Sequence, residues 1–227
     1  MKSLWLENQA LSLRLEQPVP TPPPGEALIR MRLAGICSTD LELVRGYYPF
    51  CGIPGHEFTG EVVSVGGSRS EEAQWVGRRV AGEINVSCGL CDACRRGDRT
   101  HCEQRSVLGI ISRSGVFAGY FTLPIENLHA IPDGVSDEAA VFTEPLAAAL
   151  EVQEQVQIGP STHVVVVGAG RLGQLLAQTL ALTGCDLKVV ARHPQQRQLL
   201  ADRDIVSIDE DGAPAGKTDV VVEATGS

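Results

Sequence analysis

The segment THVVVVGAGRLG (162–173) restricts the possible folds more than any other part of this chain of 227 residues. An apolar strand ends there in a glycine-rich turn, and RLGQLLAQTLALTG (171–184) follows with leucines at helical spacing. The segments LKVVA (187–191), PQQRQLLADR (194–203) and TDVVVEATG (218–226) continue the alternation of strand and helix. Strands that are apolar throughout are typical of a parallel sheet covered on both faces. The pattern predicts a partial, doubly wound α/β domain in this part of the chain.

The glycine-rich turn has the spacing of a dinucleotide-binding loop. Gly168, Gly170 and Gly173 follow the order G-x-G-x-x-G, and the helix begins at Arg171. The first glycine permits a tight turn, the second lets the backbone approach a pyrophosphate, and the third lets the helix pack on the strand. Glycines also mark ordinary turns, but the complete strand–helix–strand context favours nucleotide binding. We predict that these glycines, with Arg171 and Leu172 at the helix start, contact the cofactor.

The end of the second strand predicts the type of cofactor. An NAD site usually has Asp or Glu there, whereas this chain has Arg192 and His193 after Ala191. A guanidinium can hold a 2′-phosphate through two charged hydrogen bonds, whereas an acidic residue would repel that phosphate. A surface arginine that points to solvent would give the same sequence. We therefore predict NAD(P) as the cofactor, with NADP favoured over NAD.

The first half of the chain predicts a mostly antiparallel β domain. Short β-branched runs lie at 27–35, 57–66 and 75–84, separated by Gly and Pro. From residue 137 the segment DEAAVFTEPLAAALEVQEQV has a helical pattern. We predict two domains, a mostly β domain at 1–150 and a partial, nucleotide-binding α/β domain at 151–227.

The charge of the chain excludes some partners. The formal net charge is −9 at pH 7, which disfavours nucleic acid and anionic membrane surfaces. The first residues lack the apolar run of a secretory signal, and no apolar run is long enough to span a bilayer. These features predict a cytoplasmic protein, in which disulfides are the less common use of cysteine.

Four of the seven cysteines lie in the segment SCGLCDACRRGDRTHC (87–102). These residues, Cys88, Cys91, Cys94 and Cys102, could have one of four functions. They could form two disulfides, bind an iron–sulfur cluster, bind zinc, or supply a catalytic thiol. A bacterial ferredoxin run ends in C-x-x-x-C-P, whereas here the last gap is seven residues and Glu103 follows it. An iron–sulfur cluster is therefore the weaker alternative.

Three other segments carry further possible metal ligands. GICSTD contains Cys37, GIPGHEFTGEV contains His56 and Glu57, and FTEPLA contains Glu144. Each residue alone could be a core or surface residue of no special role. Together they have the composition of a catalytic zinc site, which takes one thiolate, one imidazole and one or two carboxylates.

These motifs resemble the zinc-containing medium-chain alcohol dehydrogenase family. The matching segments are GICSTD, GIPGHEFTGEVVSVG, VGRRVAGE, SCGLCDACRRGDRTHC, FTEPLAAAL and VVVVGAGRLG, in the order of the family. The resemblance implies a GroES-like catalytic domain followed by a Rossmann domain. It implies a zinc-dependent transfer of hydride between a small alcohol or polyol, or its carbonyl product, and NAD(P), and a homo-oligomeric parent protein.

The resemblance also implies roles for single residues. Cys37 and His56 match ligands of the catalytic zinc. The resemblance implies either Glu57 or Glu144 as the third ligand, and we predict Glu57, with Glu144 as its exchange partner. Asp40 matches a residue that orients the zinc histidine, and Thr39 matches the hydroxyl that passes on the substrate proton. The four clustered cysteines match a closed structural zinc site, which makes two zinc ions per chain.

Two departures from the family are visible in the sequence. Glu42 stands where several members carry a histidine that relays protons. The chain also stops before the second half of a doubly wound sheet, which predicts a fragment of a longer parent. The alternative function is therefore a zinc- and nucleotide-binding module without activity, or an inactive fragment of such an enzyme.

Overall fold

The computed structural model of the protein describes residues 1–67, 73–212 and 216–226. The chain divides into two compact units, Met1–Glu144 and Pro145–Ser227. This division lies a few residues before the predicted boundary, and the domain bounds 1–150 and 151–227 stay a prediction.

The first unit is built mainly from short strands. They are β1 (Ser3–Glu7), β2 (Ala10–Arg14), β3 (Glu26–Ala34), β4 (Phe58–Val65), β5 (Arg79–Gly82), β6 (Asn85–Val86), β7 (Ser106–Leu108), β8 (Ser112–Arg113), β9 (Tyr120–Pro124) and β10 (Leu128–Ala130). Five strands form the main antiparallel sheet in the order β10-β5-β4-β3-β9, while β1 and β2 form a hairpin. The strands β6, β7 and β8 form a small separate sheet, in which β7 and β8 run parallel. The prediction of a mostly antiparallel β region is confirmed.

The core of the first unit lies against the main sheet. Ala27 and Ile29 of β3 and Phe58 and Val62 of β4 are buried in it. The rings of Phe58 and Phe121 meet edge to face, with centroids 4.8 Å apart. Strands β3 and β4 correspond to the β-branched runs at 27–35 and 57–66 from which they were predicted.

Two predictions about elements of the first half need correction. The strand predicted at 75–84 covers only Arg79–Gly82, because residues 75–78 form a turn in which Gly77 has a φ of 83°. The single helix predicted at 137–156 is two helices, α3 (Asp137–Ala140) and α4 (Thr143–Gln155). Pro145 has no N–H for the carbonyl of Val141, so a continuous helix would lack that hydrogen bond.

Two short helices of the first unit precede these. They are α1 (Ser38–Val44) and α2 (Asp92–Arg95), and 3-10 turns lie at Arg99–His101 and Ile125–Asn127. Among the described residues, no helix is long and apolar enough to cross a membrane.

The second unit contains a parallel sheet with the strand order β13-β12-β11-β14. Its strands are β11 (His163–Val167), β12 (Asp186–Val190), β13 (Ser207–Ile208) and β14 (Val220–Glu223), and its helices α5 (Arg171–Ala181) and α6 (Pro194–Ala201). A further 3-10 turn lies at Glu210–Gly212. The order is that of the first half of a doubly wound sheet and confirms the predicted α/β class.

Candidate functional site

His56 lies in a loop whose path depends on close backbone contacts between glycines. Gly55 precedes it with a φ of 95°, in the left-handed region that favours glycine. A Cβ atom added to Gly115 would lie 2.6 Å from the Cα of Gly109 and 2.7 Å from the carbonyl oxygen of Pro54. The loop is therefore held tightly just before β4, and the His56 side chain is buried.

Cys37 lies between the end of β3 and the start of α1. Its backbone N–H donates to Oδ2 of Asp40 at 2.8 Å. The other oxygen of that carboxylate, Oδ1, lies 3.5 Å from Nδ1 of His56, and both atoms are buried without a hydrogen-bond partner of normal geometry. Asp40 thus joins the start of α1 to the histidine ring. A carboxylate at Nδ1 favours the ring orientation in which Nε2 remains for a metal.

The structure brings Cys37, His56 and Glu57 into one group. Their ligand atoms all lie within 4.8 Å of one another. Gly35 makes room for this group, because a Cβ atom added there would collide with Oε2 of Glu57. The hydroxyl of Thr39 lies 3.7 Å from the sulfur of Cys37.

Glu144 stands outside that group but close to it. Its half-buried carboxyl interacts electrostatically with His56 and Glu57, and desolvation raises its pKa. The exchange of Glu57 and Glu144 as ligands stays a prediction.

The pKa shifts of Cys37 and His56 have opposite consequences for metal binding. A hydrogen bond from His56 lowers the pKa of Cys37. Burial disfavours the charged imidazole, but hydrogen bonds to Asp40 and Cys37 more than offset this and raise the pKa of His56 to about 10. A metal bound here must displace that proton, since only neutral imidazole is a ligand. One sulfur, one ring nitrogen and one carboxylate are a donor set that fits catalytic zinc, which takes three protein ligands.

The four clustered cysteines form a second group. The Sγ atom of Cys91 lies 3.5 Å from that of Cys94 and 3.8 Å from that of Cys102. The Sγ atom of Cys88 lies 3.9 Å from that of Cys94 and 3.5 Å from that of Cys102. Four thiolates at about 2.3 Å around one zinc ion would have sulfurs about 3.8 Å apart. A disulfide needs about 2.05 Å, so no pair in this group is bonded. The geometry fits a tetrahedral zinc and leaves no position for substrate.

The surroundings of these sulfurs also favour a cation. Backbone N–H groups of Leu90 and Cys91 donate to the sulfur of Cys88 and lower its pKa to about 6. Desolvation and the nearby sulfurs raise the pKa of Cys94 to about 11. Four thiolates therefore require a positive ion to ionise together.

The glycine loop of the second unit has the geometry that its spacing predicts. Gly168 ends β11 with a φ of 102°, and a Cβ atom on Gly173 would collide with the carbonyl oxygen of Gly168. A Cβ atom on Gly170 would meet nothing within 4 Å. The open side at Gly170 leaves room for a pyrophosphate beside the start of α5.

A cavity of about 180 Å³ opens at this loop. Four of the predicted residues line it, Gly168, Gly170, Arg192 and His193. The other three, Arg171, Leu172 and Gly173, are not among its lining residues. The cavity is also lined by Gln196, Glu210 and Thr225, which were not predicted from the sequence. Glu210 follows the two-residue strand β13, which is too short to show periodicity. The roles assigned to all these residues stay predictions.

Comparison with known proteins identifies the family of the chain. Residues 23–133 match the Alcohol dehydrogenase GroES-like domain family. An alcohol dehydrogenase (rspB) of Escherichia coli CFT073, crystallised with NADH, superposes with a TM-score of 0.90 and 31% identity, over 99% of this chain and 69% of that one. The chain belongs to the zinc-containing medium-chain alcohol dehydrogenase family.

Two other members of this family are similar to the chain. A protein described as a zinc-binding dehydrogenase of Sinorhizobium meliloti 1021, crystallised with NADP, has a TM-score of 0.89 and 30% identity, over the whole of this chain and 70% of that one. L-galactonate-5-dehydrogenase of Escherichia coli K12 is 34% identical over 83% of this chain and 55% of its own length. The chain spans about half the length of the curated relatives it matches.

Proposed function

We propose that the protein is a zinc-dependent oxidoreductase that transfers hydride between a small alcohol or polyol, or its carbonyl product, and NAD(P). The observation that carries the proposal is the convergence of Cys37, His56 and Glu57 in the first unit. The similarity to an L-galactonate dehydrogenase supports a hydroxylated substrate. The glycine loop of the second unit supports a nicotinamide cofactor.

Cys37, His56 and Glu57 would hold the catalytic zinc, with Glu144 as an exchange partner for Glu57. Bound zinc acts as a Lewis acid that lowers the pKa of an alcohol oxygen or polarises a carbonyl. One thiolate and one carboxylate balance the charge of the divalent ion. Desolvation raises the pKa of Glu144, and the negative charge of Glu57 adds to this rise.

Two residues next to these ligands have supporting roles in the proposal. Asp40, whose Oδ1 lies 3.5 Å from Nδ1 of His56, would accept a hydrogen bond from that nitrogen and so hold the ring in one tautomer and orientation. Thr39, with its hydroxyl 3.7 Å from the Cys37 sulfur, receives the proton of the substrate hydroxyl and passes it toward solvent. Loss of the hydroxyl in Thr39→Val should lower kcat while zinc content stays the same.

The remaining parts of the proposal concern the whole chain. Cys88, Cys91, Cys94 and Cys102 would hold a second, structural zinc ion, so the chain would carry two. Residues 1–150 would form the catalytic domain and residues 151–227 a partial nucleotide-binding domain. The protein would work in the cytoplasm, and its full-length parent would be a homo-oligomer.

The experiment that tests the function combines metal content with turnover. Zinc-loaded protein should contain about two zinc ions per chain and should reduce NAD(P) when a secondary alcohol or sugar alcohol is added. The variant Cys37→Ser should lose one zinc ion and the turnover, whereas Cys51→Ser, at an exposed cysteine outside both groups, should keep both. A protein with one zinc ion and no turnover would contradict the proposal.

The NADP preference has its own test. Arg192 lines the cavity at the glycine loop and carries the charge that a 2′-phosphate would meet. Arg192→Asp should lower the ratio of NADP to NAD affinity by about tenfold or more, because a carboxylate repels the phosphate. An unchanged ratio would show that Arg192 does not read the 2′-phosphate.

A further inference from the structure

Glu210 and Arg192 form an ion pair at the rim of the nucleotide cavity. The Nε–H of Arg192 donates to Oε1 of Glu210, and both residues line the cavity with Gly168 and Gly170. Glu210 lies just after β13, the neighbour of β12 in the sheet. The carboxylate that is absent from the end of β12 is thus supplied to the same corner from the next strand.

This pair changes the electrostatics that Arg192 alone would produce. A 2′-phosphate brings nearly two negative charges, and a free guanidinium would attract it. Paired with Glu210, the corner has no net charge, and the carboxylate itself repels a phosphate placed beside Arg192. The ribose of NAD carries a neutral 2′-hydroxyl there, which can donate a hydrogen bond to a carboxylate.

The other polar groups of the cavity do not replace Glu210. His193 and Gln196 line the same cavity, but neither carries a negative charge. Asp209, the residue before Glu210, instead pairs with Arg197. Among the described lining residues, Glu210 is the one with an acidic side chain.

We propose that Glu210 is a specificity-determining residue of this cavity. Its carboxylate accepts a hydrogen bond from a ribose hydroxyl of NAD and opposes binding of the 2′-phosphate of NADP at Arg192. This inference rests on the proposed nucleotide site and makes its NADP preference weaker than Arg192 alone would give. Glu210 therefore favours a hydroxyl at the ribose 2′ position, and Arg192 favours a phosphate there.

The test measures binding of two cofactor fragments to the 227-residue chain by calorimetry at low ionic strength. The probes are 5′-AMP, which has a 2′-hydroxyl, and 2′,5′-ADP, which has a 2′-phosphate. Glu210→Gln should shift the ratio of the two dissociation constants toward 2′,5′-ADP by at least about threefold. Both side chains of the pair are largely exposed, so the variant should fold like the unmodified protein.

Asp209→Asn is the matched control, because it removes the same charge one residue away from a carboxylate that pairs with Arg197. Its ratio should stay close to that of the unmodified protein. If Glu210→Gln gives the same ratio as this control, or one shifted toward 5′-AMP, the assignment of Glu210 is wrong while the nucleotide site stands. If neither fragment binds to any of the three proteins, the proposed nucleotide site and the assignment of Glu210 both fail.

Discussion

At the scale of single residues, the Cys37–His56–Glu57 group depends on a glycine, Gly35, that has no side chain. Gly35 donates its backbone N–H to the carbonyl oxygen of Glu57 at 3.0 Å, and its lack of a Cβ atom leaves the space that the Glu57 carboxylate fills. The ligand types were visible in the sequence. The need for a glycine at 35 was not, because Gly35 and Glu57 meet only through the pairing of β3 and β4.

The variant Gly35→Ala should therefore weaken the Cys37–His56–Glu57 group without affecting the four cysteines. The added methyl group would push the Glu57 carboxylate away from the other two ligands. Zinc content, measured by atomic spectroscopy, should fall from about two ions per chain to about one. Gly134→Ala is the control, since a Cβ atom there would meet nothing within 4 Å; equal zinc in both variants would contradict the prediction.

At the scale of elements, a bidentate ion pair joins the small sheet to the main one. Arg113 of β8 donates to both carboxylate oxygens of Glu26 in β3, at 2.7 and 3.1 Å. Desolvation would raise the pKa of Glu26, but hydrogen bonds with Arg113 and Thr122 and the charge of Arg113 together outweigh this and hold that pKa below the ordinary value of 4.5. The pair is mostly buried, so removing one partner leaves a charge with poor solvation.

Glu26→Gln should lower the free energy of unfolding by about 2 kcal/mol at pH 7. Because the folded pKa of Glu26 is depressed, its contribution is present above pH 4.5 and is lost as the pH falls through the folded value. The difference between the variant and the unmodified protein should shrink accordingly below pH 4.5 in denaturant titrations. Glu103→Gln, at an exposed carboxyl, should show little loss at either pH; a Glu26→Gln loss that does not change with pH would contradict this account.

A second prediction at this scale concerns the glycine contacts before His56. Gly115→Ala should destabilise the first unit by about 1–3 kcal/mol, because the new methyl group meets backbone atoms of Gly109 and Pro54 that cannot rotate away. Thermal unfolding followed by circular dichroism would measure the loss. Gly119→Ala is the control, since its nearest neighbour would be an ordinary contact with Met1 at 3.6 Å. Equal stability of the two variants would show that the loop has room to move.

At the scale of the whole molecule, the proposed metal ions and the proposed cofactor belong to different units. Both tryptophans, Trp5 and Trp75, lie in the unit Met1–Glu144, which also contains both groups of metal ligands. The nucleotide cavity is lined by residues of the other unit. Tryptophan fluorescence is therefore a probe of the unit that would bind zinc.

Removal of zinc with a chelator should lower the free energy of unfolding reported by tryptophan fluorescence by several kcal/mol, because the ion binds only the folded ligand sets. The amides of β11, in the other unit, should keep their protection from hydrogen exchange. Cys102→Ser should reduce the effect of the chelator, and Cys51→Ser should not. An unfolding curve that is insensitive to the chelator would contradict the assignment of a structural zinc.

The sequence by itself determined the α/β class of the second unit, the strands β3 and β4 and the residue types of the two candidate metal groups. These follow from periodicity and from ligand chemistry, which are local properties of the chain. Only the tertiary structure decided that Glu57, and not Glu144, joins Cys37 and His56 within 4.8 Å. It also decided that Glu210 reaches Arg192, because that contact depends on the pairing of β12 with a strand of two residues. Contacts between distant residues depend on how strands pair and pack, and no local pattern in the chain records them.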